Sequence, residues 1–503
     1  MDLLDSLILG FSVAFSWTNL LFCFIGVLVG TLIGVLPGIG PVATISILLP
    51  VTFRIDPVPA IIMLAGVYYG AMYGGSTTSI LVNIPGEVAS IITCLDGYQM
   101  ARQGRAGPAL GISALGSFLG GTASIIGLML LAPLLANLAL SFGPPEYFAL
   151  MFFGLTMVTY LCRGSVMKGL IMAAAGLTLS TIGQDPMTGH MRFTFGSMTL
   201  TEGMGIVPVS MGMFGIAEIL TNIEESVKQE VFATKLSSVL PTLKDLKDSK
   251  WPMIRGSLIG FGLGILPGVG TLIPTSMAYI AEKRLSRYPE KFGTGVIEGV
   301  ASPEAANNAA TGGSLVTLLS LGLPGNVVMA VLLGAFVIHG IQPGPLLISK
   351  YPDLFWGTIA SMYLGNGMLL ILNLPLIGIW VKILKIPYNT LFPLIIIFCF
   401  LGAYSLNNNV YEILIMVGFG FFGYLMRKLG FEGAPFILGM VLGTMVETAL
   451  RQSLRYGDPL IFFKRPVSAV ILAVTFLLLV APLLPRTSSR RKKLQKVMDE
   501  EGA

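Results

Sequence analysis

Long stretches of this chain hold only apolar and small residues. Between Asp5 and Arg54, Arg105 and Glu146, Glu304 and Lys350, and Arg465 and Arg486 there is no Asp, Glu, Lys or Arg. A bilayer core needs about 20 apolar residues per helix, so the longer gaps predict two spans each, or a span plus a hairpin. The runs are continuous and do not alternate every second residue, which selects helices over a β-barrel. The expectation is an all-α polytopic membrane protein with about 12 transmembrane helices.

Composition agrees. The 503 residues are 54% hydrophobic and 11% charged, against about 25% charged in an average soluble domain. A cleavable signal peptide is not expected, because MDLLDSLILGF has two acids and no basic residue before the first apolar run. Cys23, Cys94, Cys162 and Cys399 are scattered through apolar sequence without a CxxC or a neighbouring His, which predicts packing roles and no disulfide or metal site. The net charge of +5 sits in membrane-flanking loops. It says little about partners beyond a lipid bilayer, and no nucleic acid is expected.

Lys and Arg near span ends set orientation. The tail RTSSRRKKLQK (486–496) follows the last apolar run with six basic residues, so the C-terminus is expected in the cytoplasm, where the tail reads as a lipid-binding patch. The polar stretch 221–252 reads as a cytoplasmic linker. The chain thus divides into a first half (1–220), the linker (221–252), a second half (253–485) and the tail (486–503).

The halves echo one another. GVLPGIGPVATISILLP (34–50) returns as GILPGVGTLIPTSMAYI (264–280), GGSTTSILVNIPG (74–86) as GGSLVTLLSLGLPG (312–325), and QGRAGPAL (103–110), more weakly, as HGIQPGPLL (339–347). Three matches in one order indicate an internal duplication. FRIDP (53–57) carries one basic residue where EKRLSRYPEK (282–291) carries four, whereas ARQGR (101–105) carries two and its counterpart 337–352 one. Corresponding loops are therefore expected on opposite sides of the membrane, as two inverted repeats with Gly/Pro-broken helices or re-entrant hairpins. This is the pattern of a secondary transporter whose site lies at the repeat interface near the midplane.

The breaks suggest their own chemistry. Pro37 and Pro267 cannot donate a helical hydrogen bond, and Gly38, Gly40, Gly268 and Gly270 allow positive φ and close approach. Broken helix ends expose N–H groups that suit a carboxylate and C=O groups that suit Na⁺. The expected substrate-binding residues are Gly38, Gly40, Gly75, Ser76, Thr77 and Asn83 in the first half. Gly268, Gly270, Asn308, Gly313, Ser314 and Asn326 complete the set in the second. For any single Gly, Ser or Thr, tight helix packing or back-bonding is the alternative.

Ionisable residues inside apolar sequence are functional candidates. Glu304, in SPEAANNAATGGS, is expected to take part in cation coupling together with Thr44 and Thr275, with Na⁺ at broken-helix carbonyls as a possible ion. Glu87 and Asp96 are weaker candidates because span-end positions would account for them. Lys168, Glu218 and Glu447 also fall near span ends, and two histidines, His190 and His339, are too few for a proton relay or a metal cluster.

The stretches LPGIGP, YYGAMYGGSTTSILVNIPGE, LDGYQMARQGRAGPALGISALGSFLGG, DPMTGHMRFTFG, GILPGVG and SPEAANNAATGGSLVTLLSLGLPG make this chain resemble the large membrane subunit of the tripartite tricarboxylate transporters, over about residues 20–465. That resemblance implies a bacterial inner membrane, a periplasmic solute-binding protein, a small membrane subunit of about four spans, and cation-driven uptake of di- or tricarboxylates or related organic anions. No cofactor is expected, and no GxxxxGK[ST] element is present for ATP. One alternative is an intramembrane enzyme, against which stands the absence of GxSxG and HExxH. Another is a carboxylate channel or passive scaffold, separable by whether accumulation needs an ion gradient.

Overall fold

The computed structural model describes residues 3–36, 40–161, 165–224, 239–384, 388–455 and 457–480. Pro37, Gly38, Cys162, positions 225–238 of the linker and the basic tail lie outside the described residues. The chain begins with α1 (Leu3–Ala14), α2 (Trp17–Val35), α3 (Gly40–Thr52) and α4 (Pro57–Val82). Short helical turns from Val88–Ser90 to Gln99–Arg102, with a π turn at Cys94–Tyr98, lead to α5 (Ala106–Ala139), α6 (Pro144–Leu161) and α7 (Val166–Leu179). A small antiparallel hairpin, β1 (Gly183–Gln184) with β2 (Met191–Arg192), precedes α8 (Ile206–Glu224), which carries a π segment at Met211–Ile216.

The second half supplies α9 (Leu243–Gly264), α10 (Leu272–Leu285), α11 (Glu298–Leu321), α12 (Val327–Ile338), α13 (Pro352–Asn373) and α14 (Ile377–Ile383). It ends with α15 (Tyr388–Asn407), α16 (Val410–Lys428), α17 (Gly433–Leu454) and α18 (Pro466–Val480). Among the described residues, seven helices are long and apolar enough to cross a membrane, and shorter apolar helices such as α3 and α12 lie beside them. This is the expected all-α polytopic membrane protein. Breaks cut the apolar sequence into pieces shorter than a span, so run length alone does not give the number of crossings.

Local sequence explains where helices start. Thr242 and Asp245 form a reciprocal capping box at the head of α9, and Pro57 opens α4 at a position where its missing N–H costs nothing. The same succession then occurs in both halves: a helix, the LPGxG break, a short helix, a long buried helix, and a second break. Positive φ carries the chain through these breaks at Gly40 (65°), Gly268 (85°) and Gly270 (66°), and again at Asn83 (59°) and its counterpart Gly322 (71°).

Close packing repeats as well. A Cβ at Gly26, Gly30 or Gly34 on α2 would stand 2.3–2.5 Å from the carbonyl oxygens of Met63, Val67 and Ala71 on α4. On α9, Gly256, Gly260 and Gly264 meet Ser302, Ala306 and Ala310 of α11 at 2.2–2.6 Å. Only glycine fits these six positions, the small-xxx-small arrangement by which membrane helices bring their backbones together. The ascending order of the contacts makes both pairs parallel.

Helices α4 and α11 form the centre of the molecule, with nearly every residue buried. They run antiparallel to each other: Ser76, late in α4, meets Glu304, early in α11, while Tyr68 reaches Asn326 beyond the end of α11. Arg255 on α9 holds Glu282 on α10 through two hydrogen bonds of 2.9 and 2.6 Å, so these two helices fold back on one another as a hairpin.

Candidate functional site

A cavity of about 480 Å³ lies where the two LPGxG elements meet. Its wall includes Gly40–Ala43 at the head of α3, Gly268–Ile273 leading into α10, Asn326–Val328 at the head of α12, and Glu87 with Val88. Four helical segments thus turn their N-terminal ends towards one space. An N-terminal turn presents unpaired N–H groups and the positive end of the helix dipole. Thr271, the N-cap of α10, makes no side-chain capping bond. In the second half the Gly268 amide donates to the Gly325 carbonyl at 2.7 Å, which ties the two breaks of that half into one structure.

Further from the repeat, α8 and α16 contribute Glu218 and Arg427, which form an ion pair on the cavity wall. The Arg427 guanidinium brings a positive charge to a wall that also holds the carboxylates of Glu87, Glu218 and Glu432 and the polar side chains of Thr271 and Asn326. Tyr68 also faces the cavity, and its hydroxyl accepts from the Asn326 amide at 2.9 Å.

Glu304 is fully buried in α11. One carboxylate oxygen accepts from Ser76 at 2.6 Å and Ser117 at 3.1 Å, and the other from Thr93. Its partners come from α4, from the segment after the second break of the first half, and from α5. Hydroxyl groups that donate to a carboxylate can equally turn their oxygen lone pairs towards a cation. Among the described residues no group of three or more His, Cys, Asp or Glu is placed to hold a metal ion.

Glu87 and Asp96, both assigned above to span ends as their simplest explanation, are buried. Glu87 caps the helical run that begins at Val88, accepting from the Ala89 amide at 2.7 Å and from Asn307 Nδ2 at 2.9 Å. Asp96 accepts from the amides of Gly293, Gly295 and Val296 at 2.8–3.0 Å and from the Tyr279 hydroxyl at 2.8 Å. It fastens the segment after the second break of the first half to the loop ahead of α11.

The expected substrate residues fall into two groups. Gly40, Gly268, Gly270 and Asn326 line the cavity; Gly38 lies outside the described residues. The rest sit behind the wall. Gly75 leaves room for Glu87, whose Cγ would be 2.9 Å from a Cβ there, and Gly313 packs on the backbone of α9. Ser76 serves Glu304, Thr77 is buried in α4, and Asn83 is the left-handed cap of that helix. Asn308 back-bonds to Glu304 O at 3.3 Å and Ser314 to Thr311 O at 2.8 Å.

The two threonines expected to share in coupling are also back-bonded, Thr44 to Gly40 O and Thr275 to Thr271 O and Leu272 O. The sequence reading did not single out Tyr68 or Arg427. An arginine followed by lysine at a helix end looks like an ordinary interfacial pair, and a tyrosine in an apolar run looks like core. Cys23 and Cys399 are buried and unbridged, in keeping with packing roles, while Cys94 is half-buried.

A larger cleft, about 1220 Å³, opens beside the β-hairpin between Gln184, Glu202, Gly340–Pro343 and the middle of α17. None of the expected site residues lines it. The hairpin is anchored by ion pairs: Arg192 grips Glu447 at 2.7 and 3.1 Å, and Arg451 reaches Asp185 at 2.7 Å. That guanidinium, with the amides of Met187 and Thr188, holds the Asp185 carboxyl well below the usual carboxylate range.

Comparison with known proteins follows from this picture. No solved structure matches the chain. A relative from Agrobacterium vitis, described as "Uncharacterized 52.8 kDa protein in TAR-I ttuC' 3'region", is 50% identical over 98% of this chain and 99% of its own length. A second from the same organism, "Uncharacterized protein in TAR-II ttuC' 3'region", is 47% identical over 46% of this chain and 97% of its own length. Residues 20–438 match the tripartite tricarboxylate transporter TctA family. With its broken helices and central polar cavity, the chain belongs to that family and is a subunit of a tricarboxylate transporter.

Proposed function

We propose that this chain is the permease subunit of a secondary transporter that imports di- or tricarboxylates, or related organic anions, by cation symport. The observation that carries this reading is the convergence of helix N-terminal turns, including those of α3, α10 and α12, on one cavity. Such ends bind carboxylates through backbone N–H groups and the helix dipole without a buried fixed charge. Arg427 adds a guanidinium whose present partner, Glu218, a substrate carboxylate could replace. The cavity volume falls within the range of about 300–1,000 Å³ typical of small-ligand sites.

Coupling is assigned to Glu304, which takes a cation, Na⁺ or H⁺, among the hydroxyls of Ser76, Thr93 and Ser117. Antiparallel α4 and α11, each with its own parallel glycine-packed partner, support the reading of the halves as inverted repeats. Alternating access then becomes a rigid shift of one broken-helix unit against a scaffold. The family name supports two further components, which we take to be a periplasmic solute-binding protein and a small membrane subunit. The assembly belongs in a bacterial inner membrane with this chain's C-terminus in the cytoplasm.

Placement of the substrate is tested by alkylation. In a cysteine-free background, Val327→Cys puts a thiol on the cavity wall. A transported carboxylate such as citrate should slow its reaction with a maleimide in membrane vesicles. Labelling that no carboxylate in a panel alters would remove the cavity as the substrate site.

A further inference from the structure

Glu87 has more charge than its structural task requires. It caps the helix after the first PG break, and in the matching position after the second PG, Asn326 does the same work with a neutral amide, accepting from the Met329 amide at 2.9 Å. A cap therefore needs no carboxylate here. Among the described residues, neither Glu87 nor Glu304 pairs with a Lys, Arg or His.

Asn307 supplies an independent sign. Its Nδ2 donates to Glu87 Oε1 at 2.9 Å, and its Oδ1, on a side chain only 1% exposed, is buried with no donor. An amide oxygen left without a partner in an apolar interior is unfavourable unless something electropositive meets it. Both atoms belong to one planar amide, so the orphaned oxygen lies next to the Glu87 carboxylate. Glu304 sits three residues earlier on the same helix, and unlike Glu304 the Glu87 side chain lines the cavity. By the GGS register, Gly66 and Tyr69 stand where Glu304 and Asn307 do, so the other copy of the repeat carries neither group.

We propose that Glu87 and Asn307 form a binding site for a monovalent metal cation, with Na⁺ as the ion, on the cavity side of Glu304. Each cycle then carries two coupling cations, one at each carboxylate. The ligands are hard oxygens, a carboxylate and an amide carbonyl, and a single carboxylate matches a single positive charge. Gly75 keeps the place open, because a larger residue there would displace Glu87. This inference rests on the symport reading above, and the experiment separates the two.

The complete transporter, reconstituted with its partner subunits and binding protein, is given a carboxylate that the wild type accumulates, and ²²Na⁺ and substrate fluxes are counted together. Wild type should show a Hill coefficient for Na⁺ above 1 and approaching about 2. Glu87→Gln should lower the Na⁺-to-substrate ratio by one ion and raise the half-saturating Na⁺ by about 10–100-fold, the usual loss on removing a metal-site group. Asn307→Asp should keep the ratio and bind Na⁺ more tightly, a result that a merely structural role for Asn307 does not give, and it decides the case if Glu87→Gln fails to fold. A wild type that moves a single ion per substrate, or a Glu87→Gln protein with unchanged Na⁺ dependence, overturns the two-ion site. So does uptake driven by a pH gradient without Na⁺, which leaves symport intact. Uptake indifferent to both gradients overturns the symport reading itself.

Discussion

Glu304 is held by hydroxyl donors alone, so its charge has a different meaning from that of a carboxylate locked to an arginine. Glu304→Gln keeps the shape and most of the hydrogen bonding while removing the charge. It should reach the membrane at normal levels yet lose gradient-driven accumulation, by tenfold or more if a full charge-assisted contact of about 1.5–3 kcal/mol is forfeited. Uptake assays beside quantitative immunoblots would read this, and undiminished accumulation would remove Glu304 from coupling. This residue was legible in the sequence because it heads the long uncharged run that ends at Lys350. Glu87 was harder to read, since a carboxylate next to Pro-Gly looks like a loop residue until its burial is known. Asn308 and Ser314 were visible as polar groups in apolar sequence, but sequence does not say which way a helical side chain points, and both turn back onto their own helix.

Helix α2 was legible as an apolar span, whereas α9 was not, because its first ten residues, 243–252, are polar enough to read as linker; the LPGxG breaks after both were legible because proline and glycine act through the backbone. The glycines four apart on both helices were not recognised, although each leaves no room for a Cβ against the facing backbone. Their meaning depends on which helix lies opposite, and that is a tertiary fact. Gly260→Val should drive side-chain atoms into the Ala306 carbonyl, which already stands 2.3 Å from where a Cβ would be. Overpacking of this kind costs about 1–3 kcal/mol where neighbours can move, and a backbone neighbour moves little. We expect a lower thermal midpoint in detergent or loss of folded protein. Gly262, with open space around it, should accept the same change; equal tolerance at both positions would contradict the packing.

For the whole molecule, loop charges predict inverted halves, and antiparallel α4 and α11 support that arrangement. Gln103 donates to the Thr294 carbonyl at 2.6 Å, so these two loops share one end of the molecule, whereas Gln342 belongs to the loop after α12. Single cysteines should therefore sort by side: Gln342→Cys should react with an impermeant maleimide from outside the cell, and Gln103→Cys and Thr294→Cys should not. Reaction of all three from one side would rule out inversion. The central claim, a cation-coupled carboxylate permease fed by a binding protein, is tested most directly by uptake into proteoliposomes holding this chain and its small subunit. A labelled carboxylate panel is supplied with and without binding protein, and Na⁺ and pH gradients are imposed separately. The account predicts accumulation that requires the binding protein and collapses with the cation gradient; equilibration without accumulation, indifferent to both, would contradict it.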